Sequence, residues 1–324
     1  MIIVWGIAIL ALALFLISSI MKGQNVLKTN KFLSSLSDDD LYNTFTFEIK
    51  DLEDLSIKLI SESLEIQKTD DENISVELYG SWHKAIEPEF SCKNNMLIIE
   101  QNEKNALYNR LVRVKVPSSI ISKNTNFNAS IVSGLCNIDD FDINRLNVSN
   151  VSGLILIKNV VCNETNTNNV SGISRIEQCK INQVTADSVS GSIYLDGSFD
   201  SVNANAVSGG ISVSNNIDFT KDCNFNVTSG SISIDLPENS NANLNCASFS
   251  GRVSNEFTGS KDKALNEKLG NGSYTLKAES VSGSISINKK IKYIEEVLWK
   301  KYSNYLHYHY YFLLLVQWLL QKTL

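Results

Sequence analysis

Val189-Ser190-Gly191-Ser192-Ile193-Tyr194-Leu195 decides the fold, because it is one of eight such units in the second half of the chain. The units are marked by glycines Gly134, Gly153, Gly172, Gly191, Gly209, Gly230, Gly251 and Gly283, each preceded by serine. Their numbers advance by 19, 19, 19, 18, 21, 21 and 32. A period near 20 is the mark of stacked repeats, each coil too small to bury its own apolar face. Within each unit apolar residues fall two before the glycine and two and four after it, the alternation of a strand with one face buried. Reading two before glycine gives Val132, Val151, Val170, Val189, Val207, Thr228, Phe249 and Val281. That column is expected on the buried face, together with Ile155, Ile193, Ile211, Ile232 and Ile285 two after it.

Glycine at one fixed corner has a physical reason. The chain turns sharply there or passes close to the next coil, and a Cβ would obstruct either. The eight glycines are therefore structural corners. A weaker second strand per coil is carried by Phe141 and Ile143, Val161 and Cys162, and Cys179 and Ile181. The expected fold is all-β, a single-stranded β-helix or solenoid with coils of about 19–21 residues, plus helices at both ends.

Residues 1–21 read as a transmembrane anchor or signal segment, since residues 2–20 are apolar and uncharged and just long enough to span a bilayer. No basic residue precedes the run and no clear small-x-small cleavage site follows it, which favours an anchor. Lys22, Lys28 and Lys31 follow the span, a bias that keeps what comes next on the cytoplasmic side. Residues 22–43, with Asp38, Asp39 and Asp40, read as a polar linker, and 44–117 as irregular capping strands without the Ser-Gly mark. Residues 118–288 are the repeats. The gap before Gly283 holds a polar insertion and Asn271-Gly272, a hairpin-turn signal.

Residues 289–324 form a basic and hydrophobic tail with Ile291, Ile294, Val297 and Leu298 at helical spacing, then an apolar run through Leu320. A surface-lying membrane helix, a helix over the open end of the solenoid and a coding accident all fit it.

The chain offers little for catalysis. Its histidines, His83, His307 and His309, lie outside the repeats, and no Cys-x-x-Cys occurs among six cysteines. No catalytic, cofactor-binding or metal residue is expected. Asp139, Asp140 and Asp142 are the one carboxylate cluster in the array. A net charge of −6, with no basic patch in the repeats, argues against nucleic acid. Triplets such as Asn150-Val151-Ser152 fall out of the repeat and say little about glycosylation.

Three features together resemble a bacterial family of adhesin-type proteins built of β-strand repeats, a domain of unknown function related to the head domain of auto-transporter adhesins. They are the recurring Val-Ser-Gly-x-Ile-x-Ile unit, the lead-in Arg113-Val114-Lys115-Val116-Pro117, and the closing Leu269-Gly270-Asn271-Gly272 to Ser282-Gly283-Ser284-Ile285-Ser286-Ile287. The resemblance covers about three quarters of the chain and implies a single-stranded β-helix carried behind an N-terminal membrane segment. It implies a non-enzymatic binding or structural module of the cell envelope on the extracytoplasmic side. The partners would be the membrane, through the N-terminal helix, and a surface glycan or protein ligand. A carbohydrate-active β-helix enzyme and a self-assembling bactofilin-like scaffold are the alternatives.

Overall fold

A computed structural model describes residues 40–82, 85–102 and 110–290. Among the described residues, nineteen strands belong to one hydrogen-bonded sheet that winds through stacked coils. The repeats begin with β8 (Asn126–Asp139), β9 (Arg145–Lys158) and β10 (Val161–Ser208), followed by β11 (Ile211–Asn215), β12 (Cys223–Ser229) and β13 (Ile232–Leu236). Neighbouring coils pair in parallel with like residues in register, Gly134 on Gly153 and Gly153 on Gly172.

Each coil has a strand before the Ser-Gly corner, a strand after it, and a short third side. In the β9 coil Leu146 and Val148 point inward before the corner, Ile155 and Ile157 after it, and Val160 and Cys162 from the third side. The inward set changes parity at the corner. Before it, residues three and five ahead of the glycine are inside; after it, residues two and four behind are inside. The column two before the glycine therefore points out. Val132, Val151, Val170, Val189, Val207, Phe249 and Val281 are exposed, contrary to the sequence expectation, because the chain bends between them and the isoleucines they were grouped with.

Both ends of the stack depart from chain order. Near the N-terminus, β2 (Asp54–Leu59) and β3 (Ser63–Thr69) pair in parallel with β8 on one side. On the other they pair with β6 (Met96–Glu100) and β7 (Arg110–Pro117). The antiparallel strands β1 (Leu41–Phe47), β4 (Ile74–Gly80) and β5 (Glu89–Lys93) finish that end. Phe90 of β5 meets Phe45 and Phe47 of β1 at centroid distances of 4.5 and 5.5 Å, closing the core there.

At the other end, β18 (Tyr274–Ser282) and β19 (Ile285–Lys289) lie between β12–β13 and the coil of β14 (Ala242–Ser248) and β15 (Val253–Asn255). The antiparallel strands β16 (Lys261–Asp262) and β17 (Ala264–Lys268) cover the last coil. The Asn271-Gly272 turn thus closes no hairpin, since β17 and β18 flank β14 instead of pairing with each other. Antiparallel covers of this kind protect the parallel edges from strand addition.

No α-helix occurs among the described residues, and none of their helices is long and apolar enough to cross a membrane. The fold expectation is corrected on this point: what is described is all-β. The expected N-terminal transmembrane helix (1–21) lies outside the described residues. So does the helical tail (289–324) apart from Lys289, which ends β19 as strand, and Lys290. The expected attachment to a membrane through an N-terminal helix is not supported, since among the described residues no helix is long and apolar enough to cross a bilayer.

All six cysteines are free thiols, five of them buried and Cys92 exposed. Burial pushes Cys136, Cys179, Cys223 and Cys246 up to about 12 and Cys162 up to about 11, against about 8.5 in an unfolded chain. The folded state thus holds protons that the unfolded state has released between about pH 8.5 and 12. Stability is fully present below that window and falls as pH rises through it. At pH 8 a maleimide is expected to label Cys92 alone in the native protein and all six thiols after denaturation. The melting temperature is expected to drop between about pH 9 and pH 11. Rapid native labelling of several thiols would contradict the packing described above.

Candidate binding surface

The Ser-Gly corners stack into one column whose spatial order is Gly134, Gly153, Gly172, Gly191, Gly209, Gly230, Gly283, Gly251. Six of the eight adopt φ between 146° and 150°; Gly191 and Gly251 are the others. A Cβ on Gly153, Gly172, Gly191, Gly209, Gly230, Gly283 or Gly251 would run into the carbonyl oxygen of the glycine in the adjoining coil. On Gly134 it would lie 2.8 Å from the Glu62 carbonyl oxygen.

The carbonyls at this crowded corner find partners in the residue three before glycine. Asn150 Nδ2 donates to the Gly134 carbonyl (3.0 Å), Ser280 Oγ to Gly230 (3.3 Å) and Ser248 Oγ to Gly283 (2.6 Å). Asn150 and Asn169 are buried, so these two Asn-x-Ser triplets hold no accessible amide in the folded coil.

Outside the corner runs the exposed apolar row, from Val132 at 44% exposure to Phe249 at 80%. A β-branched shape suits extended backbone, yet Thr228 supplies that shape with a hydroxyl, and Phe249 lacks it. A valine left half in water forfeits on the order of 1 kcal/mol of its burial energy. The row repeats through coils that bury other positions completely, so core packing does not account for its apolar character.

Beside it, four before the glycine, stands a polar row of Asp187, Asn205, Asn226 and Glu279. Asn205 Nδ2 donates to Asp187 Oδ1 and Asn226 Nδ2 to Asn205 Oδ1, both at 2.8 Å, and Lys277 pairs with Glu279 at 2.9 Å. Between the two rows lies an open trough of 740 Å³ that ends against Lys263 and Ala264 beside β17. It crosses five coils, roughly 19 Å at the usual strand spacing. One wall is apolar, formed by Val189, Val207, Val281 and Phe249; the other carries amide and carboxylate groups.

Elsewhere the three residues of the Asp139, Asp140 and Asp142 cluster have separate surroundings at and just after the end of β8. Asp139 accepts from Asn159 Nδ2 at 2.9 Å and Asp140, at φ 64°, pairs with Lys68 at 3.3 Å. Asp142 makes an isolated parallel bridge with Val161. Among the described residues no three His, Cys, Asp or Glu side chains are grouped to hold a metal. His83, His307 and His309 lie outside the described residues.

The sequence model of the family described as Toastrack DUF4097 matches residues 52–288, most of the chain. The chain belongs to that family. This Toastrack domain is also similar to solved structures at low identity. A candidate adhesin from Parabacteroides distasonis is 12% identical, with 76% of this chain and 96% of that one covered and a TM-score of 0.42. A candidate lipid-binding protein from the same organism is 17% identical, with 76% and 96% covered and a TM-score of 0.39. A candidate cell adhesion protein from Clostridium sporogenes is 13% identical, with 76% and 98% covered and a TM-score of 0.25. No curated protein matches the sequence. The Toastrack assignment agrees with the family resemblance drawn from the Ser-Gly units.

The spacing of Ser-Gly points to the corner but not to the trough. A signal for the trough is nonetheless present in the sequence, as an apolar column that admits Thr228 and Phe249 where the buried columns hold mostly isoleucine and valine.

Proposed function

We propose that this Toastrack domain is a non-enzymatic, envelope-associated binding module whose contact surface is the trough beside the Ser-Gly corners. The observation that carries the reading is the exposed apolar row, repeated coil after coil and paired with a polar row. Such a surface matches a long ligand that presents apolar and hydrogen-bonding groups at intervals, as surface glycans and extended protein segments do. The adhesin names of the solved structures support the same direction, though they belong to those proteins.

Val189→Asp combined with Val207→Asp tests the surface. Both side chains point outward, so the melting temperature is expected to stay close to the wild type, each change costing no more than about 0.5 kcal/mol. Binding to immobilised surface glycans and proteins is expected to fall at least tenfold. Ligands held equally well by wild type and variant would remove the trough from the mechanism. Exposure of the module at the cell surface is checked by protease treatment of intact cells, where digestion only after lysis would overturn it.

A further inference from the structure

The last two strands do not end the stack. β18–β19 is bonded on one side to β12–β13 and on the other to β14–β15, a coil that precedes it in sequence. Remove it, and the two walls of a one-coil slot remain, each already complete in the chain before residue 256. The slot is specific for a glycine corner, because Gly283 packs on the Gly230 carbonyl and presents its own carbonyl to Gly251. Side chains add to the fit. Asn288 Nδ2 donates to Ser233 Oγ (3.1 Å) and Asp235 Oδ1 (2.7 Å), Lys289 N donates to Glu256 Oε2 (3.0 Å), and Ser254 Oγ lies 3.3 Å from Ser286 Oγ.

The connection into β18 is a short hinge, Leu269 to Ser273, with Gly270 at φ 53° and Gly272 at φ 68°. It is tied to the edge of β14 by the backbone bonds Leu269 N to Ala242 O (2.7 Å) and Ser273 N to Asn241 O (2.9 Å), and by exposed bonds: Asn271 N to Asn241 Oδ1 (3.1 Å), Ser273 Oγ to Asn241 O (3.0 Å) and Asn243 Nδ2 to Gly272 O (2.8 Å). Exposed bonds of this kind contribute little individually. The ladders that hold β18–β19 in the slot run along β12–β13 and β14–β15 and do not involve the hinge, so they form equally well whichever chain supplies the segment.

We propose that β18–β19 is an exchangeable strand pair, and that the slot between β12–β13 and β14–β15 also takes the β18–β19 of a second copy of this chain. The segment meets the same strands, in the same register, in either arrangement, and that is the condition under which exchange of an element between protomers is cheap. The choice between them is set by concentration. A short tether gives the chain's own segment an effective concentration on the order of millimolar, so exchange is expected where copies are crowded to that level. The inference is independent of the trough and would link copies of the module whatever the trough binds.

The test uses full-length chains in a Cys92→Ser background, which leaves buried thiols only. Ser254 and Ser286 face each other in the parallel ladder, a spacing that suits a disulfide. One chain carries Ser254→Cys and another Ser286→Cys; they are mixed at about 1 mM, the effective concentration of the tether, and oxidised. A disulfide-linked heterodimer is expected, and Ser214→Cys, whose register partner is Asp235 of β13, is expected to give none with Ser286→Cys. A chain with both Ser254→Cys and Ser286→Cys is expected to close within itself. Closure of that double variant while the mixture stays monomeric would overturn the proposal. So would equal cross-linking of the Ser214→Cys control, and so would failure of the double variant to close, which would contradict the inserted order itself.

Discussion

Replacing Gly172 by valine is expected to abolish the cooperative unfolding transition of the domain, or to lower its midpoint so far that little native protein remains at 37 °C. Two costs combine at this position. The backbone stands at φ 148°, where side chains other than hydrogen are strained, a cost of order 1–3 kcal/mol. The new Cβ would also meet the Gly153 carbonyl and backbone nitrogen, and overpacking adds about 1–3 kcal/mol where neighbours can yield. Here they yield poorly, because the coil is bonded above and below and a shift would propagate through the column. The total approaches the roughly 5–15 kcal/mol by which domains are stable. Gly191→Val is expected to behave alike through the carbonyl of Gly172, even without a positive φ.

Gly210→Ala is the contrast. Its Cβ would lie 3.5 Å from the Ser231 carbonyl oxygen, an ordinary contact, and the change is expected to be neutral or stabilising by up to about 1 kcal/mol. Denaturant melts of the three variants decide the matter. A Gly172→Val protein with the wild-type midpoint would mean that the coils do not pack at this corner.

The all-β class was legible because two periods agree in the sequence, the alternation of apolar residues and the 19-residue return of Ser-Gly. The direction of the apolar column was not. A period of two carries across a corner only if the corner preserves parity, and the bend at Ser-Gly does not, so Val189 points out while Ile193 points in. Coil order was illegible for a different reason. Ser229-Gly230, Ser250-Gly251 and Ser282-Gly283 carry nearly the same local pattern, so nothing in the sequence says which coil lies on which. The order depends on partners distant in the chain, such as Asn288 with Asp235. The same holds for Asn271-Gly272, whose turn chemistry is real but whose flanking strands are claimed by β14.

The corner column continues past Gly134 in a form that no repeat signalled, and that end of the stack supports the second large effect. In the next coil Glu62 occupies the place of the glycine, and in the one beyond, Arg110 does, as the registers Leu64 with Cys136 and Ser63 with Leu111 show. Both side chains are essentially inaccessible, 0% and 1% exposed, and Arg110 Nη2 and Nε reach Glu62 Oε1 at 3.1 and 3.3 Å. Ser61 N donates to the other carboxylate oxygen at 2.9 Å, and Arg110 lies over the Trp82 ring at 5.2 Å. Arg110→Ala leaves the Glu62 charge buried without this partner and is expected to cost about 3–5 kcal/mol. For a domain of this size that is a melting-temperature loss of roughly 6–20 °C.

Glu62→Leu alone should cost a similar amount, since it strands the guanidinium in the same dry site. The double variant Glu62→Leu with Arg110→Met is expected to recover most of the loss, because two desolvated charges contribute little net stability over a packed apolar pair. The cycle of single and double variants is therefore expected to show a coupling of at least about 2 kcal/mol. Additive single effects would mean that the two charges act separately. The pair continues the corner column in which eight coils carry glycine. Past Gly134 the Ser-Gly repeat ends, and the column is carried on by one buried ion pair packed under the Trp82 ring.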